Sequence, residues 1–209
     1  MPRYYPICLS LEAKPCLVIG GGQVARRKVE SLLDAGAAVT VVSPAFCDDL
    51  LSLEGIQRIT RPFEERDVAG ACLVYAATDD PAVNSAVAAA ARKAGALVNV
   101  VDTPDECDFI VPSTLTRGDL TISVSTGGAG PALSRRLRLE LEPLIPQDFG
   151  EFVALLAELR AEVAATVPDI QRRSAIAREL ADKPALELFR QRGPGAVRQL
   201  ARELIERGP

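Results

Sequence analysis

The run Pro15-Cys16-Leu17-Val18-Ile19-Gly20-Gly21-Gly22-Gln23-Val24-Ala25 constrains the fold more than any other part of this chain. An apolar stretch closed by glycines reads as a buried strand. The residues after it, 24–35, place Val24, Ala25, Lys28, Val29, Leu32 and Leu33 near helical spacing, and Gly36 stands where a helix should stop. Gly20, Gly22 and Ala25 fit the pattern G-x-G-x-x-G/A. In that pattern the first glycine permits a tight turn. The second lets a pyrophosphate approach the backbone, and the small third residue lets helix and strand pack closely. The helix that follows offers free N–H groups and a partial positive charge to phosphates. A dinucleotide site is therefore expected at Gly20, Gly21, Gly22, Gln23 and Val24. The competing reading is a glycine-rich turn that binds nothing.

The pattern continues as alternating strands and helices. Ala38–Val42 reads as a second strand ended by Ser43-Pro44, Ile56–Thr60 as a third, and Ala71–Ala77 as a fourth. Thr78-Asp79-Asp80-Pro81 marks a helix start, with acids and a proline in its first turn. The alanine-rich helix runs over 82–94, and Leu97–Val101 forms a further strand. Such alternation implies a parallel Rossmann-type sheet with right-handed crossovers. After Val101 the pattern changes. Ser113–Arg117 and Leu120–Ser125 flank Gly118-Asp119 as a hairpin, and a helix over about 132–144 follows Gly127-Gly128-Ala129-Gly130-Pro131. From Gln147 on no strand signal remains. Three or four short helices are expected, broken at Pro168, Pro184 and Pro194.

Composition narrows the chemistry. The net charge of -4 weighs against nucleic acid as the main partner. No apolar run approaches the roughly 18 residues of a membrane span, and the start of the chain, Met1–Pro6, lacks a signal-peptide core. Five cysteines without a C-x-x-C pair suggest neither disulfides nor zinc, so a reducing cytoplasm is expected. The chain has no histidine, so acid–base work must fall to Asp, Glu, Lys, Tyr or Cys.

An Asp or Glu about 20 residues after the glycines usually grips the adenosine ribose. Ser43-Pro44 occupies that place. A serine hydroxyl can bond a ribose hydroxyl, and no Lys or Arg follows the strand to favour a 2′-phosphate, so NAD is expected over NADP. Thr78 and Asp79 are candidates for both helix capping and cofactor contact. Asp102 follows the last strand with Val101, at the sheet edge where open α/β folds hold ligands. Partial desolvation there would make it a stronger base. Ser125, Thr126, Gly127 and Gly128 read either as an anion-binding nest or as a connector into the next helix. No metal ligand is assigned.

Taken together, Tyr5-Pro6, the glycine loop with Arg27-Lys28, Ala76–Asp80, Asn84, Asn99–Asp102, Asp108–Pro112, Ser125–Pro131 and Arg135–Arg138 resemble the precorrin-2 dehydrogenase family of siroheme synthesis. Bifunctional members of that family are also sirohydrochlorin ferrochelatases. The resemblance runs from about Tyr5 to Pro146 and covers the C-terminal residues only in helical character and length. It implies that precorrin-2 gives a hydride to NAD and a proton to the family's aspartate, here Asp102. It also implies a homodimer that exchanges the hairpin and following helix. The expected division is an NAD-binding Rossmann domain over 1–112, a hairpin-plus-helix dimerisation region over 113–146 and a helical C-terminal region over 147–209, with no methyltransferase segment. Ala129 and Gly130 depart from the larger polar residue and serine usual in the family. Ferrous iron enters as a second substrate if the chelatase step is carried too. Without imidazole to deliver it, that activity is expected to be weak or absent. Two rivals stand beside this reading. One is a regulatory NAD-binding module without catalysis. The other is a reductase of smaller substrates, for which no Tyr-x-x-x-Lys motif is present.

Overall fold

The computed structural model describes residues 3–207, so Met1 and Pro2 of the leader reading and the last two residues of the C-terminal region lie outside the described residues. The chain divides into two compact units, one up to Val111 and one from Pro112.

The first unit is a parallel sheet of five strands, β1 (Pro15–Ile19), β2 (Ala38–Ser43), β3 (Ile56–Thr60), β4 (Leu73–Ala76) and β5 (Leu97–Val100), in the order β3-β2-β1-β4-β5. Side chains alternate across a strand, and β1 feeds two cores accordingly. Cys16 and Val18 pack with Ala25, Val29 and Leu32 of helix α1 (Gln23–Asp34). Leu17 and Ile19 pack with the alanine-rich helix α3 (Pro81–Lys93), through Val87, Ala88 and Ala91. Ile19 registers with Val42 on one side and Ala76 on the other, so the carboxyl ends of the three central strands align. The order reverses between β1 and β4, which opens a crevice at those ends.

Local signals set the helix limits. Gly36, at φ +75°, and Ala37 donate their N–H groups back to Leu33 and Leu32 and close α1. Asp80, not Thr78 or Asp79, is the N-cap of α3, accepting from the N–H groups of Ala82 and Val83 ahead of Pro81. Three short elements were not expected. They are α2 (Asp48–Ser52), a 3-10 turn over Glu65–Val68, held by Arg61 against the nearly buried Asp67, and a 3-10 turn over Pro104–Glu106. Each is too brief to show a period.

The second unit opens with the hairpin β6 (Ser113–Arg117) and β7 (Leu120–Val124), with Gly118 at φ +53° in its turn. Helix α4 (Pro131–Leu141) follows, then α5 (Asp148–Thr166), α6 (Ile170–Ala181), α7 (Lys183–Arg192) and α8 (Pro194–Glu206). Phe152, Leu155, Leu159, Ile176, Phe189 and Val197 form the common core of α5 to α8. Pro184 and Pro194 stand in the first turns of α7 and α8, where a missing N–H costs nothing, and α5 is longer than expected at 19 residues. Hairpin and helices pack together. A Cβ at Gly150 of α5 would come within 2.9 Å of the Arg117 carbonyl, and Arg117 Nε donates to the Ile145 carbonyl.

Candidate functional site

The glycine loop is built by close backbone approach on two sides. Gly20 has φ +124°, and a Cβ there would lie 2.2 Å from the Ala77 carbonyl oxygen, so only glycine fits and β4's exit is drawn against the loop. Gly21 is equally constrained. Its Cβ would lie 1.9 Å from the Ala45 oxygen, and its carbonyl accepts from the Cys47 N–H at 2.8 Å, which pins the segment after β2. Gly22 differs. It is the N-cap of α1 in an extended conformation, and a Cβ there would meet nothing within 4 Å. Helix α1 has no side-chain cap and no acid in its first turn, so its opening N–H groups at Gln23 and Val24 face an open cradle. Ala25 is fully buried against the sheet. A bare helix N-terminus under an unfilled glycine is what a pyrophosphate needs.

Ser43 and Pro44 stand at the end of β2. Ser43 is buried and its hydroxyl donates to the Ala45 carbonyl at 2.7 Å. Its proton is therefore committed inside the loop and not available to a ribose. Pro44 is exposed beside it.

Thr78 stands beside Gly20 and is fixed by the buried Asn84. The Asn84 Oδ1 accepts from both the N–H and the hydroxyl of Thr78, at 3.2 and 2.7 Å, and its Nδ2 donates to the Thr78 carbonyl at 3.0 Å. Asp79 is exposed and caps nothing. Asn84 thus sets the geometry of the β4 exit, and the short spacing from Thr78 into the first turn of α3 was the signal for it.

Val101 extends the β4–β5 ladder by one bond, donating to the Ala76 carbonyl at 3.0 Å. Asp102 then turns to φ +59°, a left-handed conformation that Asp tolerates better than most residues. Asp102 is exposed. The shielding expected from the sequence is not supplied by the described residues around it. Below it, Cys107 Sγ accepts from the Val100 N–H and donates to the Val100 carbonyl, both at 3.2 Å, and Asp108 accepts from the Val98 N–H. The 107–109 segment therefore straps the edge of β5, and Cys107 is part of that strap.

Lys28, on α1, lies with Nζ 5.4 Å from the centroid of the Tyr75 ring. Burial pulls its pKa down, as does Arg27, while Cys107 and Asp102 oppose the shift. Burial pushes the Tyr75 phenol up to about 12. The lysine sits over the ring face, and a phenol held that high is a poor proton donor near neutral pH. The pair is therefore not the Tyr–Lys device of small-substrate reductases.

Ser125, Thr126, Gly127 and Gly128 belong to the second unit. Gly127 and Gly128 both have positive φ, whereas a nest alternates right- and left-handed residues. Much of the turn's donor capacity is used internally. Gly127 N–H goes to Ser125 Oγ, while the N–H groups of Ala129 and Gly130 go to the Thr126 carbonyl and hydroxyl. The turn is thus mainly a rigid entry into α4, with Gly128 the member free to donate among these.

Residues 7–113 match a family model described as putative NAD(P)-binding, and residues 117–143 match the sirohaem biosynthesis protein central model. The chain belongs to the putative NAD(P)-binding family. The siroheme synthase of Methylococcus capsulatus is 46% identical over 206 residues, covering 97% of this chain and 43% of its own. That of Thioalkalivibrio sulfidiphilus is 40% identical over 208 residues, covering 98% and 42%. The chain thus spans less than half the length of these relatives. A solved structure of SirC, precorrin-2 dehydrogenase, superposes with a TM-score of 0.80 at 25% identity, covering 96% of this chain and 100% of that one. The matched segment contains the glycine cradle, which Gly20, Gly21 and Gly22 shape here, with Asn84 behind Thr78. Among the described residues, no helix is long and apolar enough to cross a membrane.

Proposed function

We propose that this chain is an NAD-dependent precorrin-2 dehydrogenase that yields sirohydrochlorin. The observation that carries the reading is the position of Asp102. It is an exposed carboxylate in left-handed backbone just past β5, on the same carboxyl edge of the sheet as the glycine cradle. Similarity to SirC along nearly the whole of both chains supports the same reading.

Bound NAD supplies a hydride acceptor. The residues of the chain do the rest. Gly22 and the N–H groups of Gln23 and Val24 hold the pyrophosphate, and Thr78, Asp79 and Val101 line the path towards the reacting end. Asp102 Oδ takes the proton that leaves precorrin-2 as the C–H electron pair departs as hydride. Substrate desolvates Asp102 as it covers the crevice, and the carboxylate becomes a stronger base at that moment. The turn at Ser125, Thr126, Gly127 and Gly128 contributes to substrate binding through Gly128.

A homodimer is part of the proposal. Leu133, Leu139 and Leu144, on and just after α4, are exposed apolar side chains of the kind a partner copy covers. Ferrous iron is the substrate of the chelatase step, which is proposed to be weak. The free cysteines suit a reducing cytoplasm. The test is turnover of precorrin-2 with NAD by wild type and by Asp102→Asn. The proposal requires sirohydrochlorin from the first and a rate lower by about 10²–10⁴ in the second.

A further inference from the structure

We infer that Asp49, on α2, sets the choice of NAD over NADP. The inference rests on the dinucleotide reading above and deepens it.

In sheets of this kind the adenosine half of a dinucleotide extends from the glycine loop towards the carboxyl end of the second strand. There an acid reads the ribose hydroxyl, or an arginine accepts a 2′-phosphate. Ser43 stands at that end, buried, with its proton committed to the Ala45 carbonyl. A neutral serine can neither repel nor neutralise a 2′-phosphate, so charge discrimination must come from elsewhere. The chain beyond Ser43 does not leave the site. Cys47 N–H is bound to the Gly21 carbonyl at 2.8 Å, which turns α2 back towards the start of α1. Asp49 then reaches the first turns of α1, with Oδ2 accepting from Gln23 Nε2 at 2.9 Å and lying 3.5 Å from Arg26 NH1. Its side chain is half exposed, so one face of the carboxylate remains open.

The cations nearby are engaged. Arg26 NH2 is held by Glu30 at 2.7 Å while NH1 faces Asp49. Arg58 donates to the carbonyls of Leu50 and Leu53. A 2′-phosphate, at close to two negative charges, would meet the Asp49 carboxylate and find its natural partner, Arg26, already neutralised by two acids. A ribose hydroxyl meets an acceptor instead. Asp49 thus occupies, from a different element, the role that the second strand's end leaves vacant.

The test measures dissociation constants for NAD and NADP by calorimetry on the folded protein. Wild type is expected to bind NAD at least tenfold more tightly. Asp49→Asn should narrow the NADP-to-NAD ratio of dissociation constants at least tenfold. Adding Arg26→Gln should then return NADP to weak binding, because the freed guanidinium is what receives the phosphate. Glu30→Gln, which also loosens Arg26 without touching α2, should raise NADP affinity in the same direction and stands in if Asp49→Asn fails to fold. A wild type that prefers NADP, or a folded Asp49→Asn with an unchanged ratio, overturns the inference while leaving dinucleotide binding intact. A wild type that binds neither nucleotide brings down the dinucleotide reading and this inference with it.

Discussion

Gly20 and Gly22 are two residues apart, yet they answer to different demands, and substituting each separates folding from binding. At Gly20, φ is +124° and an added Cβ would sit 2.2 Å from a backbone oxygen of β4's exit. Backbone strain of this kind costs about 1–3 kcal/mol, and forced overpacking about 1–3 kcal/mol more. Taking about 3 kcal/mol, and about 2–4 °C per kcal/mol for a chain of this size, Gly20→Ala should lower the Tm by about 6–12 °C. At Gly22 the backbone is extended, φ -89° and ψ -175°, and the space around a Cβ is empty. Asp is a preferred N-cap residue and its charge suits a helix N-terminus. Gly22→Asp should therefore melt at or slightly above the wild-type temperature. Yet it fills the cradle with a carboxylate where the pyrophosphate must sit, and NAD affinity should fall at least about tenfold, about 1.4 kcal/mol. The chain has no tryptophan, so calorimetry is the direct titration. Thermal melts with NAD titrations on both variants decide the matter. A stable Gly22→Asp that binds NAD like wild type refutes the cradle, and a Gly20→Ala that melts normally refutes the packing argument.

Asn84→Ala should cost about 2–4 kcal/mol, since it removes three hydrogen bonds and leaves the Thr78 N–H without its acceptor, and it should weaken NAD binding as Thr78 loosens; melts and titrations read both. Ser43→Ala should leave the NAD-to-NADP ratio unchanged, because the Ser43 hydroxyl serves Ala45. A ratio that moves would restore Ser43 to the ribose. The Arg61 guanidinium holds the Asp67 carboxyl below its ordinary range. That stabilisation is complete above the unfolded carboxylate's pKa, near 4, and is lost as pH falls through the lower folded value. Asp67→Asn should therefore be less stable than wild type at neutral pH, with the gap closing in acid; equal Tm values at pH 7 would show the pair contributes nothing.

The sheet was legible because its signals are local and strong. Apolar runs such as Leu73–Ala76, glycine or proline punctuation and the alanine-rich α3 each point one way, and the hairpin about Gly118-Asp119 announced itself by turn chemistry. The glycine loop was legible for the same reason. What escaped depends on contacts between distant residues. Nothing in the sequence says that the chain folds back two residues after Ser43 to take the proton of its hydroxyl. The sequence places Gly21 in the loop but does not show that Ala45 packs on it as closely as Ala77 does on Gly20. The cap of α3 was assigned too early because Thr78, Asp79 and Asp80 are all capable, and only the Thr78–Asn84 bonds remove the first from contention. Asp102 was correctly placed past β5 but expected to be shielded, and shielding is a property of what surrounds the crevice, not of the strand that leads to it.

The most direct test of the account supplies precorrin-2 and NAD to the purified protein and follows tetrapyrrole spectrum and NADH together. The account predicts sirohydrochlorin and NADH appearing in equal amounts, at a rate that collapses in Asp102→Asn while that variant still binds NAD. Tight NAD binding with no oxidation of precorrin-2 would contradict it, and would make the chain a cofactor-sensing module instead of an enzyme.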